Sequence, residues 1–119
     1  MYSNMYYICL MDSKLYKGSL ETIIVKLLSE HREMYGYQIT QAVKEISGDE
    51  IHIKEGSLYP LLHRMESDGL IESELKPYGK RMRKYYQLTE RGNVASLDMI
   101  QEMSRYLNMM QQILKPKIS

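Results

Sequence analysis

The chain has 119 residues, enough for one small domain with an appended helix. Lys and Arg number 16 against 15 for Asp and Glu, so the net charge of +1 excludes any argument from overall charge, and a case for nucleic acid has to rest on where the cations fall. A hydrophobic share of 44% supports a packed core rather than a disordered chain, and a single cysteine, Cys9, leaves no intrachain disulfide, as expected in a reducing cytoplasm.

Residues 1–13 carry the weakest pattern. The apolar run from Met5 to Met11 is short and lacks positive flanks, so it reads as neither a signal peptide nor a membrane span, and no spanning segment occurs elsewhere. Met1, Met5 and Met11 each fit a translation start. This segment is expected to be either disordered or packed on a dimer. Eleven Tyr stand beside no Phe and no Trp, so some tyrosines should sit at boundaries where their hydroxyls find partners.

The first helix is expected from about Leu20 to Glu30, with Ser19 as N-cap and Glu21 in the first turn. Leu20, Ile23, Ile24, Leu27 and Leu28 form its apolar stripe. A second helix opens near Gly36 and stops near Ser47-Gly48, burying Tyr35, Ile39, Ala42, Val43 and Ile46. Ile51-His52-Ile53 alternates like a short strand. In the third helix Leu58, Leu61, Leu62 and Met65 recur at i, i+3, i+4 and i+7, with Tyr59, His63, Arg64 and Ser67 off that stripe. Pro60 fits the first turn of a helix, which places the N-cap at Gly56 or Ser57, and Asp68-Gly69 supplies the stop. Strand patterns follow at Leu70 to Lys76 and Arg83 to Thr89, joined by the turn Pro77-Tyr78-Gly79-Lys80 with proline at its preferred position.

Thr89 caps a last helix that runs to about Leu114, where Lys115-Pro116 stops it. The fold class is therefore mainly α with a small β-hairpin: a winged helix-turn-helix over residues 14–89 and a C-terminal dimerisation helix over 90–119. Leu97, Ile100, Met103, Leu107, Met110 and Leu114 alternate three and four apart as a coiled-coil-like seam. Met99, Tyr106, Met109 and Ile113 add a second apolar stripe, so one side should meet the helix's own domain and the other a second copy, making a homodimer.

Two features point to double-stranded DNA. The start of the third helix offers free N–H groups, the Ser57 hydroxyl, the Tyr59 phenol and nearby Lys54, all suited to phosphate, while His63 and Arg64 suit base edges. Glu66 and Asp68 would repel DNA, so only the first half of that helix should approach a groove. In the hairpin Lys76, Lys80, Arg81, Arg83 and Lys84 run without an intervening acid. No enzyme constellation is found: His31, His52 and His63 lack metal-ligand spacing, Cys9 has no marked base, and Ser57 lacks a nucleophile-elbow sequence. No metal or cofactor is expected. A winged-helix module that binds a protein partner, without its own operator, is the alternative reading.

The residues resemble the PadR family of bacterial transcriptional regulators. The matching pieces are Gly18-Ser19-Leu20-Glu21, Tyr35-Gly36-Tyr37-Gln38-Ile39, Glu55-Gly56-Ser57-Leu58-Tyr59-Pro60-Leu61-Leu62, Glu66-Ser67-Asp68-Gly69-Leu70-Ile71, and Arg83-Lys84-Tyr85-Tyr86-Gln87-Leu88-Thr89-Glu90-Arg91-Gly92. The resemblance implies a cytoplasmic dimeric repressor of an inverted-repeat operator, often released by a small molecule or stress signal, in the short subgroup with one terminal helix. It places Tyr37, Ser57, Tyr59, Pro60, Lys80, Arg81, Arg83 and Lys84 toward DNA. The wing tip Gly79-Lys80-Arg81-Met82-Arg83 departs from the Gly-Arg-Pro-Arg frequent in relatives. Some short relatives stack flat drugs between tryptophans at the dimer centre; with no Trp in this chain, Met99, Met103 and Tyr106 remain as a softer candidate effector pocket.

Overall fold

The computed structural model describes residues 16–117, so the expectations for residues 1–13, Cys9 included, fall outside the described residues. A 3-10 turn at Lys17–Ser19 leads into α1 (Leu20–Glu30). There follow β1 (Met34–Tyr35), α2 (Gly36–Ile46), α3 (Glu55–Ser67), β2 (Ile71–Tyr78), β3 (Arg81–Leu88) and α4 (Glu90–Leu114). The three strands form one antiparallel sheet in the order β1-β3-β2. This is a winged helix-turn-helix with a long C-terminal helix, as the periodicity predicts.

The core lies between the three short helices and one face of the sheet. Leu20, Ile24 and Val25 of α1, Ile39 of α2, Leu58, Leu62 and Met65 of α3, and Ile71 of β2 are almost fully enclosed. Each such side chain contributes about 1.5–3 kcal/mol through burial. Two residues depart from the expected α2 stripe: Ile46 is 77% exposed, because it stands at the last turn beyond the edge of the core, and Tyr35 is only half-buried, because it is the N-cap and its ring lies under Arg83 on the outer face of the sheet. Gly48 and Asp49, both at positive φ, then turn the chain out of the helix.

Several local expectations are corrected. Ile51-His52-Ile53 is not a strand. The Ile51 N–H donates to the Ser47 hydroxyl at 2.9 Å and the His52 carbonyl accepts from the Tyr16 hydroxyl at 3.1 Å, so side chains occupy these backbone groups. The place beside β3 is taken by Met34–Tyr35, paired with Tyr86 and Tyr85. Ser19 holds the N-cap position of α1, but its hydroxyl donates back to the Tyr16 carbonyl at 2.9 Å and does not cap. Helix α3 starts at Glu55 with Lys54 as N-cap, earlier than Gly56 or Ser57, since the N–H groups of Ser57 and Leu58 both bond the Lys54 carbonyl. Pro60 therefore lies past the first turn and offers no N–H to the Gly56 carbonyl; both residues are exposed, where water can serve that carbonyl. Pro77 belongs to β2, opposite Met82 on an edge strand that tolerates it. The hairpin turn is the two residues Gly79-Lys80. With φ +62 at Gly79, and Lys80 outside the positive-φ residues, this is the type II′ arrangement.

The junction into α4 is tightly specified. The Thr89 hydroxyl accepts from the Gly92 N–H at 3.0 Å and donates to the Gly69 carbonyl, while the Thr89 N–H bonds the Leu70 carbonyl at 3.1 Å. Such a cap contributes about 1 kcal/mol. Gly92 is buried against the same Leu70 carbonyl, and a Cβ there would overlap that backbone atom. Gly92→Ala is expected to cost about 1–3 kcal/mol by overpacking, read as a lowered midpoint in urea unfolding with an unchanged slope.

Candidate nucleic-acid interface

Helix α3 buries Leu58, Leu62 and Met65 and turns two different flanks outward. On one flank Ser57, Pro60 and Arg64 line a groove of about 450 Å³ with Lys17 and Gly18 of the 3-10 turn before α1. Arg64 Nη2 lies 3.8 Å from Glu21 Oε1 across this groove. On the other flank Tyr59 leans over the start of α2, its phenol against Gly36. His63, one turn after Tyr59, is exposed, as is Lys54 at the helix N-cap.

A second cleft, of about 480 Å³, lies between the start of α2, α3 and the hairpin. It brings together Tyr37, Tyr59, Arg83 and Lys84 of the expected DNA-facing set, with Tyr35 and Tyr78 beside them. Tyr37 is 62% exposed, and its hydroxyl accepts from Gln41 Nε2 at 2.7 Å. Tyr86 lines the inner wall; burial, with Glu66 and Tyr59 nearby, holds its phenol above the usual range and so protonated. Ser57, Pro60 and Arg64 do not share this cleft.

The hairpin cations are not equivalent. Lys76 Nζ donates to both Glu33 oxygens at 2.9 and 2.8 Å, and this bond keeps the ammonium firmly charged. Lys84 Nζ lies 3.9 Å from Glu66 Oε1 and above the Tyr86 ring. Arg83 has its guanidinium carbon 3.8 Å from the centroid of the Tyr35 ring and 3.2 Å from that of Tyr78, with Nη1 3.4 Å from the Tyr85 hydroxyl. Desolvation opposes its charge, and the Tyr85 and Tyr78 hydroxyls outweigh that, so its pKa is raised. Lys80 and Arg81, at the turn, have no acidic partner among the described residues.

Glu66, expected to repel DNA, accepts from the Ser73 hydroxyl at 2.6 Å and lies 3.9 Å from Lys84 Nζ, so a hairpin cation stands beside it. Sequence reasoning missed Glu33, Tyr35, Tyr78 and Tyr85 as partners of the hairpin cations. The signal that finds the tyrosines is cross-strand register, which pairs Tyr35 with Tyr85 and sets Tyr78 opposite Arg81, whereas Glu33 precedes β1 and is marked by no pairing.

Along α4, Met99 packs on its own core, while Ile100 and Met103 border an apolar groove of about 490 Å³ with Ile23, Leu27, Val43 and Ile46. Leu97, Leu107 and Leu114 of the expected seam are exposed, and Met110 is half-buried. Met99, Met103 and Tyr106 do line one shallow groove, together with Met109 and Gly18. Among the described residues no helix is long and apolar enough to cross a membrane, and no group of His, Cys, Asp and Glu is arranged to hold a metal.

The helices and the hairpin define a winged helix-turn-helix protein. Residues 24–98 match the model of the transcriptional regulator PadR-like family, and the chain belongs to that family. It is similar to the structure of a transcriptional regulator from Clostridium thermocellum (27% identity, TM-score 0.78, covering 89% of this chain and 100% of the other). It is also similar to a PadR-like transcriptional regulator from Bacillus cereus (31% identity, TM-score 0.72, covering 88% of this chain and 100% of the other). A transcriptional regulator of Mycobacterium tuberculosis is 40% identical over 63 residues, 53% of this chain and 56% of that protein. Members of this family are transcriptional regulators, and membership implies that the chain is a DNA-binding regulator.

The contact of Tyr59 with Gly36 is testable. The three atoms nearest to a methyl group at residue 36 all belong to the far end of the Tyr59 side chain, which can swing away. Gly36→Ala is expected to cost less than about 1 kcal/mol in stability while shifting the Tyr59 ring resonances in an NMR spectrum.

Proposed function

We propose that the protein is a homodimeric repressor that binds an inverted-repeat operator in double-stranded DNA. The observation that carries this reading is the cleft between the start of α2, α3 and the hairpin, with Lys80 and Arg81 at the hairpin turn free of acidic partners among the described residues. In this reading Lys54, Ser57 and Tyr59 meet backbone phosphates, Tyr37 and Pro60 face the DNA beside them, and His63 and Arg64 reach base edges. Lys80, Arg81 and Lys84 follow the backbone beside the groove.

The dimer is formed along α4. This 25-residue helix is about 37 Å long, and its second half projects Leu107, Ile113 and Leu114 into solvent. A second copy laid along Leu97, Ile100, Met103, Leu107, Met110 and Leu114 covers these side chains and sets the distance between the two α3 helices. Half-sites read by such dimers lie about 34–36 Å apart, one turn of DNA. A small-molecule effector that fits the groove of Met99, Met103 and Tyr106 better in one dimer geometry than in another would shift operator affinity, because only differential binding moves such an equilibrium. Repression takes place in the cytoplasm in this reading.

The direct test is selection of bound duplex from a random pool. Inverted repeats with half-sites one turn apart are the expected outcome; no enrichment over the starting pool would overturn the reading. Two variants separate its parts. Lys80→Ala with Arg81→Ala is expected to lower the slope of log affinity against log salt by about two, measured by fluorescence anisotropy. Leu107→Asp, at a side chain 54% exposed in the single chain, is expected to leave the fold intact by circular dichroism and to yield a monomer in light scattering. A Leu107→Asp protein that stays dimeric would show that the seam lies elsewhere.

A further inference from the structure

Arg83 sits where a phosphate-contacting wing residue is expected, yet its surroundings suit a different task. Its guanidinium carbon lies over two tyrosine rings at once, Tyr35 on β1 and Tyr78 on β2, while Arg83 itself belongs to β3. The register makes this possible. Tyr35 pairs with Tyr85, and Tyr78 pairs with Arg81, so both tyrosines are diagonal neighbours of Arg83 on one face of the sheet. That face is the one turned away from the core, which takes Ile71, Tyr86 and Leu88 from the other.

The contact matters because β1 is only two residues long. Its pairing with β3 ends at Tyr85, so from Lys84 to the turn the hairpin has no third strand. A two-stranded ribbon alone is marginally stable. Beyond Tyr85 the hairpin is tied to α3 by Lys84, which faces Glu66, and toward β1 and α2 by two other side chains. Lys76 bonds Glu33, just before β1, and Arg83 stacks on Tyr35, the residue immediately before α2. Tyr35 is itself fixed, since its N–H bonds Gln38 Oε1 at 3.1 Å and its ring meets Tyr85 edge-on at 5.5 Å. Tyr78 is the last residue of β2, next to the turn. One planar cation thus connects the far end of the wing to the start of α2.

Resting on the DNA-binding reading above, we infer that Arg83 is a positioning residue. It sets the angle of the wing to α2 and α3, and the phosphate contacts of the wing are made by its neighbours at the turn, Lys80 and Arg81. Stacking depends on a flat guanidinium, so lysine is a poor replacement here even though it keeps the charge.

The test compares Arg83→Lys, Arg83→Ala and Tyr78→Leu with the wild type. Tyr78 is 57% exposed, so its replacement removes no core packing. Affinity is measured by anisotropy over a range of KCl concentrations, on a duplex selected by the wild-type chain. Amide hydrogen exchange is measured on the free proteins. The expected result is a loss of about tenfold in affinity in all three variants, with the salt slope unchanged, and faster exchange at Tyr78 to Lys84. Loss of about one unit of slope in Arg83→Ala, with wild-type affinity in Arg83→Lys, would make Arg83 a phosphate contact and overturn the inference. Unchanged exchange in Arg83→Lys and Tyr78→Leu would overturn it as well, whether or not DNA is bound. A wild-type chain that binds no duplex would remove the DNA-binding reading, and the exchange data alone would then decide whether Arg83 holds the wing.

Discussion

Strand β3 is paired with β2 along its whole length and with β1 at Tyr85 and Tyr86, and its two faces serve opposite ends. Tyr86 and Leu88 turn inward to close the core under α1 and α3. Arg83 and Tyr85 turn outward and gather Tyr35, Tyr78 and Lys76 around them. Because side chains alternate, one pairing register settles both arrangements together. A slip of a single residue would drive Arg83 and Tyr85 into the apolar interior and leave Tyr86 and Leu88 in water. The burial of Tyr86 and Leu88 therefore does more than stabilise the domain, since it also fixes which cations reach the outer face and which rings meet them.

The near balance of charge in the whole chain is repeated within the site. Arg64 faces Glu21, Lys76 bonds Glu33, and Lys84 faces Glu66. All six side chains are partly exposed, and pairs of this kind add little to stability in water. What they do is hold long, flexible side chains along defined directions. Lys54, Lys80 and Arg81 are left without an acid among the described residues, two of them at the hairpin turn and one at the N-cap of α3. A modest number of unpaired cations at well-separated points suits a protein whose overall charge supplies no long-range attraction to DNA.

Most of the fold was legible because its signals are local. The stripe from Leu20 to Leu28 and the cap at Thr89 give α1 and α4 their observed limits. The stretches that misled are those where tertiary partners decide. Met34-Tyr35 is too short to show alternation and becomes a strand only because β3 offers a free edge, while Ile51-His52-Ile53 alternates but has its backbone claimed by Ser47 and Tyr16. The start of α3 escaped the capping rules because no side chain caps it. At the site, the cationic content of the hairpin was readable from Lys76 to Lys84, but the division of those cations into paired, stacked and free was not. That division depends on Glu33 and Tyr35, some forty residues earlier, and on the register of three strands.

Helix α4 also has a mechanical property that follows from its length alone. Its first half packs beside α1 through Met99, Ile100 and Met103, and the last turns extend past the domain, so that the longest dimension of the chain reaches 60 Å. A free segment of about 18 Å that pivots by about 10° where that packing ends sweeps its tip through about 3 Å, close to one base-pair step of about 3.4 Å. Displacements too small to disturb packing beside Met99 thus become, at the tip, errors of phase along a double helix.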